Sequence, residues 1–126
     1  MDTKTKIESF TDLKAWKEGH RLVLDVYKIS REFPREEMFG LANQLRRAVV
    51  SITSNLAEGF SRTSYKDKIK FYSISLGSLT EVQNQLLISR DINYLNKEKF
   101  DILAQQTILV SKLVNGLIKK LKTLNT

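Results

Sequence analysis

LANQLRRAVVSITSNLAEGF, residues 41–60, is the stretch whose reading decides the fold. Met38 just ahead of it, then Leu41, Leu45, Val49, Ile52 and Leu56, recur three and four residues apart. That is the period of one apolar face of an α-helix. Gly59 fits the residue just past a helix end, in left-handed geometry. On the wheel, Gln44, Arg47, Ala48, Ser51, Asn55, Glu58 and Arg62 fall within about 100°, at 3.6 residues per turn. A solvated helix face is ordinarily rich in Lys and Glu. Ser and Asn gain little in a helix unless they bond something. This side therefore reads as a packed polar seam, with Ser51 and Asn55 bonding across to Ser78 and Glu81 or to a neighbouring subunit.

The same period runs outward in both directions. Leu13, Trp16, His20, Val23, Tyr27 and Ser30 space a helix over about 12–32, with Leu22, Val26, Ile29 and Phe33 as a flanking row. Ser9 and Asp12 have capping-box spacing, which would start that helix a turn earlier. Pro34 ends it near Phe33. Ser64 and Asp67 repeat the box ahead of a helix over about 64–90, carrying Ile69, Tyr72, Leu76, Leu79, Gln83 and Leu86. Ser73, Ser75, Gly77 and Ser78 are small enough for another backbone to approach. Asn96 is a good N-cap for a helix over about 97–123. There Phe100, Leu103, Thr107, Val110, Val114, Leu117, Leu121 and Leu124 hold the rhythm for three heptads, and Ile102, Leu109, Leu113 and Ile118 add a second apolar flank. Such a helix packs against two neighbours, or against a partner subunit. With short connections, the four helices predict an all-α, single-domain, up-down-up-down antiparallel four-helix bundle over residues 1–126. The first nine and the last few residues are expected to fray.

The 126 residues suit one domain with one real core. Cysteine is absent, which removes disulfides and thiolate chemistry and fits a reducing compartment. No apolar stretch approaches the ~20 residues of a membrane span, and residues 1–9 have no signal-peptide character. A cytoplasmic protein without a membrane role is the expectation. The 21 basic and 14 acidic residues give net charge +7, and the pI is about 9.7, a balance that attracts polyanions. Two concentrations carry it. Arg46, Arg47, Arg62, Lys66, Lys68 and Lys70 stand against Glu58 and Asp67. Lys112, Lys119, Lys120 and Lys122 stand against no acid. Each reads either as a solvated face with lysines favourably placed at a helix C-terminus or as phosphate contact. No base-reading motif accompanies them.

Catalytic residues are few. His20 is the lone histidine and reads as a packed or boundary residue. No His pair at metal-binding spacing and no Walker loop occur. Ser51 and Ser78 have no histidine at helical spacing to activate them. Glu58 and Glu81 read as structural hydrogen-bonders or surface pairs ahead of acid–base groups. The expectation is a non-enzyme without cofactor or metal. Trp16, Tyr27 and Tyr72 read as core aromatics, whereas Tyr65 and Tyr94 lie near loops and are freer.

Several phrases taken together carry a resemblance: FTDLKAWKEGHRLVLDVY at 10–27, FPREEMFGLANQLRRAVVSITSNLAEG at 33–59, SRTS at 61–64 and LGSLTEVQNQL at 76–86. The chain resembles the small four-helix-bundle proteins encoded in intervening sequences of 23S ribosomal RNA genes. Accessory proteins of diversity-generating retroelements look similar. The likeness covers most of residues 10–95; the last helix matches in pattern alone. It implies a four-helix bundle and a ring-like homo-oligomer, a pentamer in such relatives. For the accessory proteins it implies partnership with a reverse transcriptase and its RNA through a basic surface. Positions matching the shared phrases are Gln44, Arg46, Arg47, Ser51, Asn55, Glu58, Gly59, Arg62, Ser78 and Glu81. KDKIKF at 66–71 departs from the pattern in being lysine-rich, which adds positive charge beside Arg62.

Two functions fit. One is a nucleic-acid-associated homo-oligomer that meets RNA phosphates through Arg46, Arg47, Arg62, Lys66, Lys68 and Lys70. The other is an assembly or scaffold module that binds a protein partner. Gln44, Ser51, Asn55, Glu58, Ser78 and Glu81 are the seam or interface candidates. Arg46 points away from them on the wheel and is the better residue for an outside partner, so Arg46→Ala is expected to leave folding intact.

Overall fold

The computed structural model describes residues 6–124, and the fraying expected of the ends falls partly outside them. Four helices are present: α1 (Lys14–Ser30), α2 (Leu41–Ser61), α3 (Tyr65–Asp91) and α4 (Lys97–Leu124). Their side-chain pairings fix the topology. Arg46 of α2 reaches Ser30 of α1, Ser51 of α2 meets Ser78 of α3, Gln83 of α3 meets Thr107 of α4, and Gln106 of α4 meets Asp25 of α1. A second contact at each interface, Gly19 beside Thr53, Ser75 on Ile52, Arg90 over Phe100 and Lys99 with Glu32, shows the numbers rising on one helix as they fall on the other, so every sequential neighbour is antiparallel and α4 closes back on α1. The diagonal pairs α1–α3 and α2–α4 do not approach each other at the backbone. The up-down-up-down bundle is the fold.

The Ser9–Asp12 box is real but caps something else. The Asp12 carboxylate accepts the amides of Glu8 and Ser9 at 3.0 Å, and Ser9 Oγ accepts that of Thr11. These bonds close a 3-10 turn over Phe10–Asp12, tying the chain down from Glu8 onward, and α1 starts only at Lys14. At its other end α1 stops at Ser30, and Pro34 opens a second 3-10 turn, Arg35–Glu37.

That second turn supplies the start of α2. Glu37 Oε1 accepts the Leu41 amide at 3.1 Å, one of the donors a helix leaves unpaired at its start. A Cβ on Gly40 would lie 2.7 Å from that same oxygen, so the glycine makes room for the carboxylate. Glu37 Oε2 accepts the Tyr94 hydroxyl at 2.9 Å, joining the α1–α2 and α3–α4 connections. Tyr94 is therefore fixed, not free as its loop position suggested.

The α3–α4 connection turns on Asn93, at φ 67°. The Asn93 amide donates to Arg90 and the Tyr94 amide to Ser89, the paired bonds of a Schellman ending. Asn tolerates this left-handed conformation, whereas a β-branched residue does not. Asn93→Val is expected to lower stability by about 1–2 kcal/mol in urea melts.

The same connection predicts an alkaline transition. The hydrogen bond to Glu37, then burial, then the Glu37 charge hold the Tyr94 phenol above its ordinary pKa of 10.0, and burial raises Tyr72 likewise. Folded-state values above the unfolded one mean stability that is full below pH 10.0 and lost as pH climbs through the folded values. Lys68, held below the usual lysine range by burial, shifts stability the opposite way over its own window. Urea melts between about pH 9 and 11 should therefore show a shallower decline for Tyr94→Phe than for the wild type. Equal slopes would mean that the Glu37 bond does not bias this phenol.

The core is a column of Leu22, Val26, Leu45, Val49, Ile52, Leu56, Leu79, Val82, Leu86, Val110 and Val114. On α2 the expected row is buried from Leu45 to Leu56, and on α4 from Leu103 to Val114. Beyond that Ile118, expected as a flank, is buried, while Leu117 and Leu121 are half-buried and Leu124 is exposed; Ile102 and Leu109 of the same flank are exposed. On α1 the buried face is Ala15, Gly19, Leu22 and Val26, so the row read as a flank is the centre. Trp16, His20, Val23 and Tyr27 lie one residue around, a rotation of about 100°. Gly19 explains the offset: its missing Cβ would sit 3.2 Å from Thr53 Cγ2, so α2 seats close on that edge and the bulky rings turn outward. Tyr27 is accordingly exposed, which corrects its reading as core; Trp16 is half-buried and packs against the core, and Tyr72 is buried as expected.

Gly59 is also corrected. It lies inside α2 and does not have positive φ. A Cβ there would be 2.7 Å from the Tyr72 ring and 3.0 Å from Phe71 Cβ. Close α2–α3 packing, not helix termination, needs this glycine. Of the small residues of α3, Ser75 and Ser78 are buried against α2, while Ser73 and Gly77 face solvent.

Candidate nucleic-acid interface and polar seam

The seam exists but is shorter than its candidates. Ser51 Oγ and Ser78 Oγ are 2.8 Å apart across the α2–α3 interface. One turn on, Ser75 Oγ donates to Ile52 O at 2.8 Å, with Ser75 fully buried. Asn55 does not cross to α3. Its Nδ2 donates to Ser51 O at 2.8 Å and Ser51 Oγ at 3.1 Å, holding the hydroxyl that meets Ser78. Glu58 faces solvent and pairs with Arg62 at 2.8 Å; Gln44 and Glu81 are exposed and outside the seam. Wheel position gave the side of the helix, but only the distance between helices decided which residues are covered.

The six basic candidates separate into two places. Arg62, Lys66, Lys68 and Lys70 flank the α2–α3 connection. Antiparallel packing of α3 on α4 sets Lys119, Lys120 and Lys122 at the same end, so four of the six cations of the first concentration meet the second there, while Arg46 and Arg47 lie in the other half. The half containing this end (residues 6–22, 51–78 and 110–124) holds 12 basic and 5 acidic residues, net +7. The other half (residues 23–50 and 79–109) holds 8 of each. The charge of the chain is therefore polarised along the bundle axis.

Within the basic end the cations differ. Lys68 Nζ donates to Phe60 O at 2.6 Å and sits over the Phe60 ring, capping carbonyls at the end of α2. These carbonyl bonds give the lysine a structural task, and burial lowers its pKa. Arg62 pairs with Glu58 and lies over Phe71. Lys66 and Lys70 are exposed without a side-chain partner among the described residues, and so is Arg47 farther up α2.

Arg46 does not point freely outward. It is half-buried, its Nε donates to the fully buried Ser30 Oγ at 2.8 Å, and its guanidinium lies 4.9 Å above the Tyr27 ring. It clasps α1 to α2, so Arg46→Ala should cost some stability, against the sequence expectation. With Asn43, Arg47, Val50, Ser51 and Ser54 of α2 and Tyr27 of α1, it lines an open groove on the outer face of α2, at the edge that meets α1.

His20 is exposed and stacks on Trp16 with ring centroids 4.6 Å apart, a boundary residue with no acid–base partner among the described residues. Among those residues, no group of three or more His, Asp or Glu could hold a metal ion, and no helix is long and apolar enough to cross a membrane.

The family model of the 23S rRNA-intervening sequence proteins matches residues 11–116. The chain belongs to that family. A solved structure is similar as well: a protein of unknown function from the S23 ribosomal protein family of Bacteroides thetaiotaomicron. It superposes with a TM-score of 0.78 at 20% identity, over 83% of this chain and 95% of that one, a likeness of fold. Comparison with curated proteins found no match. The family model runs through α4 to residue 116, where sequence phrases alone had carried the likeness only to about residue 95.

Proposed function

We propose that this 23S rRNA-intervening sequence family protein is a non-enzymatic homo-oligomer that binds RNA through the basic end of its bundle. The observation carrying this reading is the axial charge polarity, net +7 in one half against zero in the other. Clustered cations displace condensed counterions from phosphates, so such an end attracts RNA without any base-reading motif. The family's name points toward ribosomal RNA genes as the setting. The cytoplasm is the compartment this role requires.

Self-assembly is supported by the outer side of α4, where Ile102 and Leu109, seven residues apart on one face, are 54% and 41% exposed, and Ile108, turned toward α3, is 50% exposed. Exposed apolar rows of this kind mark interaction surfaces. With the family resemblance they favour a ring-like homo-oligomer, a pentamer, over a monomer. The same row supports the second reading, an assembly module whose partner is a protein.

Filter binding of single-stranded and duplex RNA across a salt series, with light scattering on the same sample, tests both. The expected result is affinity that falls linearly in log–log form, with slope about −0.7 per phosphate contact for single strands, and a mass several times that of the monomer. RNA affinity absent at low salt would discard the RNA reading and leave the assembly module. A monomer at micromolar concentration would discard the oligomer.

A further inference from the structure

The groove at the α1 edge of α2 holds an arginine of a different kind from the cations at the basic end. Arg46 is fixed twice: Nε is bound to the buried Ser30 hydroxyl, and the guanidinium plane rests on Tyr27. Its two terminal amino groups are left without a partner among the described residues. They border a groove whose other polar walls are Arg47, Asn43, Ser51 and Ser54, with no carboxylate among its lining residues. A guanidinium held by Nε and stacked on a ring has already lost its rotamer freedom. Its remaining N–H groups match the two oxygens of a phosphate.

We infer that Arg46, with Arg47 beside it, forms a preorganised phosphate-binding fork in this groove, a second contact point for the RNA backbone separate from the basic end. The fork rests on the RNA reading for the source of its phosphate. It lies 16 residues from Arg62 along one helix, roughly 24 Å at 1.5 Å per residue. A single strand held at the basic end and running along α2 spans that distance in a few nucleotides. Ser30 and Tyr27 are positioning residues: they hold the guanidinium, and Tyr27 also borders the groove.

The fork makes a prediction that charge alone does not. Lysine keeps the charge of Arg46 but lacks Nε and the planar pair of donors. Binding of an oligouridylate of about 12 nucleotides should weaken about tenfold in Arg46→Lys, while the salt slope, which counts cations, stays unchanged. Ser30→Ala, which frees the fork without touching the groove, should weaken binding about threefold. Thermal melts of both variants exclude unfolding as the cause. Inorganic phosphate titrated against the wild type should shift the Arg46 side-chain N–H resonances and leave those of Arg62 less affected. Wild-type affinity for the oligonucleotide retained in a folded Arg46→Lys protein would overturn the fork and leave the basic-end reading standing. Phosphate that shifts Arg46 in a protein without RNA affinity would keep the oxyanion site and remove RNA as its source. Polyglutamate competing as well as phosphate would overturn the phosphate assignment.

Discussion

Gly59→Val is expected to lower the stability of the bundle by about 3 kcal/mol, an overpacking cost at the high end of its usual range. The atoms that would have to move are buried: Tyr72 is 3% exposed and belongs to the core cluster, and the nearest contact is its ring at 2.7 Å. Because α2 and α3 share the most extensive helix–helix interface, the displaced ring also loosens the Ser75–Ile52 bond two turns along. Gly59→Ala should cost less, since one methyl meets the ring and helix propensity returns up to about 1 kcal/mol. Gly77 and Gly116 supply the contrast. A Cβ at either meets no atom within 4 Å, so Gly77→Ala and Gly116→Ala should each stabilise by up to about 1 kcal/mol. Urea melts of these four variants give one substitution with opposite signs. A neutral Gly59→Val would show that α2 and α3 are not as close as 2.7 Å implies.

The second large effect is on RNA. Replacing Lys66, Lys70 and Lys119 together by alanine removes three exposed cations from the basic end, none with a side-chain partner among the described residues. The log–log salt slope should fall by about 2, and affinity at about 0.1 M salt should drop roughly 100-fold. Removing Lys28, Arg31 and Arg35 lowers net charge by the same amount at the balanced end. That triple variant should bind RNA as the wild type does. Equal losses in the two variants would mean that total charge, not its polarity, drives association. Both sets are surface residues, so melts should stay close to the wild type.

Much of this molecule is readable from one dimension. The helices on α2, α3 and α4 begin and end within a residue or so of the positions their periodicity and caps predict, because the N-caps at Ser64 and Asn96 act through neighbouring amides. The Ser9–Asp12 box was equally legible as a chemical motif, yet it closes a 3-10 turn. A cap satisfies amides; it does not decide how tightly the following turn winds. The fit to a bundle was legible too, since four amphipathic helices with short connections have few other ways to bury their stripes.

What was illegible depends on distances between helices. Gly59 reads as a helix terminator in sequence, and only the Tyr72 ring pressing on it shows a packing glycine. Asn55 and Ser51 share a side of α2, but the gap to α3 is bridged by serine alone. Arg46 looks outward on a wheel because a wheel has no second helix; α1 supplies the Ser30 hydroxyl that captures it. The two lysine-rich segments were visible as separate charge runs, with more than 40 residues between them in sequence. Their meeting at one end follows from the antiparallel return of α4 along α3. Local physics, periodicity and capping, was thus written in the sequence by itself and determined the helices and the bundle. Which side chains touch, which glycines are crowded and where the positive charge collects were decided by tertiary structure, because each depends on how far apart two helices come to rest.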